Sequence, residues 1–168
     1  MAAPTHRDPG ADPDPDPHRT VRRAGSSDLP ALAALVIAFG AEFDDPPDPG
    51  VEGRLAATLQ DPRAMFLLAG APPVGFAAVR VRDVYWSARP EAWLEDLYVV
   101  PDRRGEGRGR ALLEAAIATA RERGCGHFEL TTTEEDVAAA ALYRASGLRE
   151  TEQDAEGSGR VIWFGLDL

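Results

Sequence analysis

The sequence predicts one domain of the α/β (α+β) class, with a central sheet flanked by helices. Short apolar runs typical of strands alternate with longer stretches in which apolar residues recur at helical spacing. A segment with three glycines on alternate positions, Gly105, Gly107 and Gly109, joins one such strand directly to one such helix. With 168 residues, of which 44% are hydrophobic, the chain can bury a single core of ordinary size.

Composition separates a short N-terminal segment from the rest of the chain. Residues 1–19 contain three consecutive Asp-Pro pairs and almost no apolar side chains, which predicts a disordered tail. Residues 20–168 predict the folded domain, with no internal repeat and no linker that divides it.

The first half of the domain predicts three strands and two helices. They are a strand at 20–24, a helix from Ser27 or Asp28 to Gly40, a helix that starts at Val51, and strands at 65–69 and 74–84. Pro30 is typical of a first helical turn, and the Gly/Pro cluster at 70–73 is typical of a turn between two strands. An acidic loop with prolines, 42–50, separates the helices.

The second half predicts four strands and two helices around the glycine segment. They are a strand at 93–100, a helix that ends near 123, a strand at 127–132, a helix that ends near 146, and strands at 148–151 and 161–166. Thr133 and Asp136 resemble a capping box for the last helix, and the glycines at 157–159 predict a turn between the last two strands.

The glycine segment predicts an anion-binding site. Without side chains, its backbone can turn tightly and bring several N–H groups near an anion, and the helix adds the positive end of its dipole. Arg104, Arg108 and Arg110 add charge. A dinucleotide-binding G-x-G-x-x-G is excluded because Arg110 replaces its third glycine, and a P-loop is excluded because the chain contains no lysine. The alternative is a glycine-rich turn that binds no ligand.

Arg104, Gly107 and Gly109 form the pattern R-x-x-G-x-G between an apolar strand that ends in Val-Pro and a helix. This pattern resembles the acetyl-CoA signature of the GNAT superfamily of N-acetyltransferases. The order of predicted elements is also that of the GNAT fold. The resemblance therefore implies a mixed, mostly antiparallel sheet of about seven strands with four helices, split between strands 4 and 5.

The resemblance also implies that acetyl-CoA is the co-substrate and assigns the residues that bind it. Its pantetheine arm would pair with the backbone of the exposed fourth strand, where an N–H group can also stabilise the thioester oxygen. The residues implied for the arm are Leu97, Tyr98 and Val99. The residues implied for the pyrophosphate are Arg104, Gly105, Glu106, Gly107, Arg108, Gly109 and Arg110.

Tyr143 is the candidate catalytic acid. It lies four residues before Gly147, and the segment resembles the L-Y-x-x-x-G segment of the family, whose tyrosine hydroxyl approaches the sulfur of CoA. A thiolate leaves faster when a nearby O–H group can donate to it. The alternative is an aromatic side chain packed on the sheet.

Glu95 is the candidate catalytic base, and Asp96 is the candidate substrate-binding carboxylate. The segment Leu-Glu-Asp-Leu-Tyr-Val resembles the corresponding strand of spermidine/spermine-type N-acetyltransferases, in which the first acid is associated with proton removal and the second with substrate binding. Neighbouring residues in a strand point to opposite faces, so both acids reach one cleft only if a bulge redirects them. The alternative is a solvated strand edge.

Three further acids have two interpretations each. Asp136 stands where the family often has an asparagine that contacts CoA, and its simple alternative is a helix cap. Asp44 and Asp45, in the loop between the first two helices, are candidates for attracting a cationic acceptor, and their alternative is a solvated loop.

Charge and composition limit the partners. A net charge of −10 argues against a nucleic-acid binder and is compatible with a cationic substrate. The chain has one cysteine and no histidine cluster at metal-ligand spacing, so we expect no internal disulfide and no metal site. We expect Cys125 and His127 to be ordinary structural residues. No apolar stretch is long enough for a membrane span or a signal core, so we expect a cytoplasmic protein.

The sequence favours an acetyl-CoA-dependent N-acetyltransferase that acts on a small primary amine by direct transfer in a ternary complex. Two alternatives remain open. One is a non-catalytic module that senses acyl-CoA, and the other is a protein acetyltransferase that acts on an N-terminus or a lysine. The resemblance implies a homodimer through the C-terminal strands.

Overall fold

The computed structural model of the chain describes residues 20–45, 47–152 and 161–168. The predicted tail at 1–19 and the predicted turn at 157–159 lie outside the described residues.

Seven strands and four α-helices follow one another in the predicted order within these residues. The N-terminal elements are β1 (Val21–Arg23), α1 (Leu29–Ala41), α2 (Val51–Gln60), β2 (Ala64–Ala69) and β3 (Gly75–Arg82). The C-terminal elements are β4 (Glu91–Val99), α3 (Arg108–Glu122), β5 (His127–Thr133), α4 (Val137–Ala145), β6 (Arg149–Glu152) and β7 (Val161–Asp167).

The strands form one mixed sheet in the order β1-β2-β3-β4-β5-β7-β6. All neighbours are antiparallel except β4 and β5, which are parallel. In the described ranges, the β4–β5 ladder pairs Glu91, Ala92 and Trp93 with His127, Phe128 and Glu129, and then it stops. The predicted sheet and its split between strands 4 and 5 are confirmed.

Three predicted boundaries are wrong. The chain leaves the sheet at Arg82, two residues before the predicted end of β3, and β4 begins two residues early, at Glu91. The last helix is capped by Asp136, whose carboxylate accepts a 3.0 Å hydrogen bond from the amide of Ala139, so it begins at Val137. Thr133 pairs with Val161 at the end of β5 and does not cap the helix.

Each face of the sheet carries its own core. The apolar residues of α3 pack on one face, together with α4, and they are Leu112, Leu113, Ala116, Ile117 and Ala120. On the other face, α1 and α2 cover Phe66, Leu68 and Phe76 of β2 and β3, together with Tyr98 of β4. Cys125 is fully buried, and its burial raises the pKa of the thiol.

Candidate active site

The middle of β4 contains a β-bulge. Val79 pairs with Leu94 and Ala78 pairs with Asp96, so within the described part of the sheet Glu95 has no opposite residue on β3. Leu94 faces the core under α3, whereas Ala78 belongs to the core under α1 and α2. Asp96 therefore faces the α1/α2 side. Glu95 reaches the same side, because it contacts Arg80, the residue after Val79.

Glu95 is bound by an arginine. The Arg80 guanidinium donates from Nε to Glu95 Oε1 at 2.7 Å and from Nη2 to Oε2 at 3.4 Å. A third contact joins Nη1 of the same guanidinium to Asp61 Oδ2 at 3.3 Å. Arg80 thus bridges the bulge of β4 to the end of α2.

Asp96 has a different environment from its neighbour. Its side chain is partly buried, and among the described residues it has no hydrogen bond or ion pair. Burial, assisted by the negative charge of Glu95, raises the pKa of Asp96.

The glycine segment forms the tight bend that the sequence predicts. Gly105 and Gly107 have φ values of 78° and 80°, which L side chains rarely adopt, and Gly107 is the N-cap of α3. The first-turn amides of α3 have no carbonyl in a preceding turn to accept their N–H groups. They lie beside a cleft that Gly105 and Gly109 line, which is a suitable place for an anion.

The cleft collects residues from both ends of the domain. Its walls are the end of α1, the C-terminal end of β4, the glycine segment and α4. The predicted site residues that line it are Leu97, Tyr98, Val99, Arg104, Gly105, Arg108, Gly109, Asp136 and Tyr143. Lining residues that the sequence analysis did not assign include Phe39, Phe43, Arg103 and Leu142.

Arg104 joins the glycine segment to the end of α1. Its Nη2 lies 2.7 and 2.8 Å from the two carboxylate oxygens of Glu42, its Nε donates to the Val99 carbonyl at 2.8 Å, and its guanidinium lies over the Tyr98 ring. Tyr98 also shares a hydrogen bond with Glu42, and burial is the main reason why the pKa of Tyr98 is raised. Much of the charge of Arg104 is therefore compensated within the protein.

Arg108 lines the cleft with a buried side chain, whereas Arg110 is not among the lining residues. The Arg108 side chain is 4% exposed, contacts Glu106 at 2.8 Å and passes under the β2–β3 turn, where a Cβ on Gly70 would lie 3.1 Å from its Nη1. Arg110 is exposed and lies on the surface beside Glu114. Of the two, only Arg108 lines the cleft, and Glu106 compensates part of its charge, which was not evident from their spacing.

Arg103 is the arginine that the sequence analysis overlooked. It lines the cleft, its side chain is 46% exposed, and its closest carboxylate is that of Glu106 at 3.8 Å. The R-x-x-G-x-G pattern begins one residue later, so the pattern itself carries no signal for it.

Separate alanine substitutions of Arg103 and Arg110 test which of the two positive charges contributes to the binding of an anionic ligand. We expect Arg103→Ala to weaken CoA binding by about 3- to 10-fold at low salt, and by less at high salt, because the contact is exposed to solvent. Arg110→Ala removes the same charge from the neighbouring surface and should change the Kd by less than about 2-fold. Calorimetric titration of both variants measures the difference, and an equal loss in both would contradict this assignment.

Tyr143 closes the cleft on the α4 side. Its side chain is 6% exposed, and its ring packs against Phe164 with 5.3 Å between centroids. Burial, together with the nearby carboxylate of Asp136, raises the pKa of Tyr143 to about 12. The hydroxyl is therefore protonated at neutral pH and can donate.

The acidic loop is less closely associated with the cleft. Asp44 and Asp45 are exposed in the turn after Phe43, and they are not among the residues that line it. Asp44 adopts a positive φ of 52°. The carboxylate of Asp136, by contrast, lines the cleft as well as capping α4.

Groups outside the cleft have structural partners. His127 Nδ1 lies 3.1 Å from Asp167 Oδ1. In the described part of the chain no group of three or more His, Cys, Asp or Glu residues is arranged to hold a metal ion. No described helix is long and apolar enough to cross a membrane.

Known proteins that resemble this chain in sequence include acetyltransferases. The sequence profile described as the acetyltransferase (GNAT) family matches residues 32–148. An aminoglycoside N(6')-acetyltransferase type 1 from Stenotrophomonas maltophilia is 37% identical over 155 residues, which is 89% of this chain and 94% of that protein. A streptothricin acetyltransferase from Streptomyces lavendulae is 37% identical over 71% of this chain and 60% of its own length.

Solved structures share the fold. A putative acetyltransferase from an Arthrobacter species superimposes with a TM-score of 0.71 and 35% identity, over 84% of this chain and 90% of that one. An aminoglycoside acetyltransferase from an uncultured soil metagenomic sample, in complex with trehalose, gives a TM-score of 0.73 at 24% identity, over 85% of this chain and 96% of that one.

Proposed function

Because the chain belongs to the acetyltransferase (GNAT) family, we propose that it transfers the acetyl group of acetyl-CoA directly to a primary amine of a small cationic molecule. The observation that carries the proposal is the single cleft that contains a helix N-terminus, an unpaired strand edge and a buried tyrosine hydroxyl. The helix N-terminus can bind a diphosphate, and the strand edge can pair with an amide-containing arm. The tyrosine hydroxyl can donate a hydrogen bond to a leaving thiolate.

Acetyl-CoA would bind in this cleft, and its thioester would supply an activated acetyl group. Arg103 and the first-turn amides of α3 would bind the pyrophosphate. Beyond Trp93, the backbone of β4 is not paired with β5 in the described residues, so Leu97 and the N–H group of Val99 are available for an added strand-like partner, whereas the Val99 carbonyl already accepts from Arg104. Ala138, Ala139 and Leu142 give the opposite wall an apolar surface.

The acceptor must lose a proton before it can attack. An alkylammonium with a pKa near ~10.4 is neutral in only about one molecule in 2500 at pH 7, which costs roughly 4.6 kcal/mol. The bulge brings Glu95 and Asp96 to one face of β4, and Arg80 binds the Glu95 carboxylate. Asp96 is therefore the carboxylate that would bind the ammonium and accept its proton.

Tyr143 would stabilise the departing thiolate by donating a hydrogen bond. Its pKa of about 12 exceeds that of a thiol, near ~8.5, by roughly 3.5 units, so complete transfer of its proton would cost roughly 5 kcal/mol. Donation without transfer avoids that cost and still lowers the energy of the developing charge. The thiolate then receives its final proton from solvent or from the acceptor nitrogen.

The relatives suggest which amines to test first. Aminoglycosides and streptothricin, named for two relatives, are polycationic amines, and this chain carries a net charge of −10 with Asp44 and Asp45 near the cleft. Such a field favours cationic acceptors. A homodimer through the C-terminal strands belongs to the same proposal, and light scattering on the purified protein measures it.

A thiol-release assay tests the proposed function. Purified protein and acetyl-CoA are incubated with aminoglycosides, streptothricin, polyamines, amino acids and peptides, and mass spectrometry identifies the acetylated product. We expect turnover on at least one polycationic small molecule and little on peptides. Thermal stabilisation by CoA without turnover on any amine would contradict the proposal and favour an acyl-CoA sensor, whereas turnover confined to peptides would favour a protein acetyltransferase.

A further inference from the structure

We propose that Asp96, rather than Glu95, accepts the proton of the acceptor ammonium, while Glu95 and Arg80 form a fixed pair that shapes the bulge. This inference rests on the proposed function and assigns one residue to one of its steps. It reverses the assignment that the resemblance to spermidine/spermine-type N-acetyltransferases implied.

Glu95 is already engaged by a cation. Both of its carboxylate oxygens receive hydrogen bonds from Arg80, which is itself anchored by Asp61. Charge-assisted hydrogen bonds stabilise a carboxylate in its ionised form, so protonation would weaken these contacts. Glu95 is therefore poorly suited to take up and release a proton in each catalytic cycle.

Asp96 lies at the edge of the sheet where β4 separates from β5. The ladder between those strands ends at Trp93, three residues earlier, so the backbone around Asp96 borders the gap. Across the other ladder it faces Ala78, whose side chain is one methyl group. The next residue, Leu97, lines the cleft, so the backbone of Asp96 borders it, and in the described residues the Asp96 carboxylate has no hydrogen bond or ion pair.

The charges around Asp96 favour proton uptake. Glu95, on the same strand, is the charged neighbour that acts on it, and Arg80 on β3 is already bound to Glu95. The sequence of α1 contains no charged residue, and the charges of α2 are Glu52 and Arg54 in its first turns. Burial first, and Glu95 second, raise the pKa of Asp96, which brings its proton affinity closer to that of an amine.

The proton and electron balance of the step is simple. The nitrogen lone pair, released when the ammonium proton passes to Asp96, forms the C–N bond as the C–S bond breaks and its electron pair leaves on sulfur. Of the two protons that the nitrogen loses overall, one ends on the thiol and the other leaves to solvent. Asp96 is ionised again at the end, so no oxidant or other reactant is needed.

The test compares Asp96→Asn with Glu95→Gln, which differ by one position and remove one ionisable group each. With an amine that the wild-type protein acetylates, we expect Asp96→Asn to lower kcat/KM at pH 7 by about 100-fold and Glu95→Gln by less than about 5-fold. Without its proton acceptor, the Asp96→Asn variant depends on free amine, so log kcat/KM should rise with a slope near one as pH increases. The wild-type protein and Glu95→Gln should reach a plateau at lower pH.

Stability separates this role from a structural one. Because the pKa of Asp96 is raised in the folded state, ionisation of this carboxyl disfavours folding. The stability that the protonated carboxyl contributes is lost as pH rises through that pKa. Asp96→Asn should therefore unfold at the same Tm as the wild-type protein at pH 7, or higher. A merely structural role would lower Tm without changing the slope of the pH profile.

The outcomes separate this inference from the proposed function. A reversed pattern, an equal loss in both variants, or an unchanged pH profile in Asp96→Asn would overturn the assignment while leaving an acetyltransferase. A wild-type protein that acetylates no amine would overturn the proposed function and this inference with it.

Discussion

Replacement of Tyr143 by phenylalanine is expected to lower kcat by about 100-fold or more and to leave the KM for acetyl-CoA within about 3-fold. The substitution removes one oxygen atom and keeps the ring that packs on Phe164. A hydroxyl that donates to the leaving sulfur acts mainly in the transition state, so its loss should appear in turnover rather than in binding. Steady-state kinetics with both substrates varied measures the two parameters.

Tyr98 provides the matched control. It lines the same cleft and is similarly buried, but its hydroxyl interacts with Glu42 at the end of α1. Tyr98→Phe should therefore change kcat by less than about 5-fold, because the hydrogen bond that is lost, worth roughly 1.5–3 kcal/mol, is to the Glu42 carboxylate and not to the reacting atoms. Equal turnover of Tyr143→Phe and the wild-type protein would remove Tyr143 from the mechanism.

The pH dependence follows from the state of the same hydroxyl. Because the pKa of Tyr143 is about 12, the phenol is protonated throughout the usual assay range. Its deprotonation should therefore cause no alkaline fall in kcat below about pH 11. A fall at lower pH that disappears in Tyr143→Phe would contradict this.

Gly75→Ala is the substitution with the largest expected effect on stability. Gly75 pairs with Val99 at the end of β4, and a Cβ at this position would lie 2.6 Å from the Tyr98 carbonyl oxygen and 3.1 Å from Val99 Cγ2. The backbone at Tyr98 must move to relieve this contact, and overpacking of this kind lowers the free energy of unfolding by about 2–3 kcal/mol. For a chain of this size we expect Tm to fall by roughly 5–10 °C.

The displacement should also affect binding, because Tyr98 and Val99 line the cleft. We expect the KM for acetyl-CoA to rise in Gly75→Ala, together with the fall in Tm. Gly53→Ala is the control, since Gly53 lies within α2 and a Cβ there would meet nothing within 4 Å. That substitution should raise stability by about 0.5–1 kcal/mol. A Gly75→Ala protein as stable as the wild-type protein would contradict the close approach of β3 and β4.

The fold was predictable because its signals are local. The apolar residues of α3 recur at helical spacing, and Gly105 and Gly107 mark a bend whose positive φ values only glycine adopts easily. Errors occurred where two local signals competed. Thr133 and Asp136 both resemble helix caps, and pairing of Thr133 with Val161 in the sheet decided between them.

The chemistry of the site was less predictable because it depends on distant partners. Arg104 was assigned to the pyrophosphate from its place in the pattern, but its guanidinium contacts Glu42, which lies 62 positions earlier in the chain. Glu95 was assigned as the base from its neighbours in sequence, but Arg80 of the adjacent strand binds its carboxylate. Neither contact leaves a periodic signal that spacing alone can reveal.

The bulge in β4 also affects how this protein can evolve. Glu95 is one residue more than the ladder with β3 needs, since Leu94 and Asp96 already have their partners in Val79 and Ala78. In-frame loss of its codon would keep every apolar side chain of β4 in the core that it fills now. A gene can therefore gain or lose the Arg80–Glu95 pair in one step, so the surroundings of Asp96 can diverge while the scaffold persists.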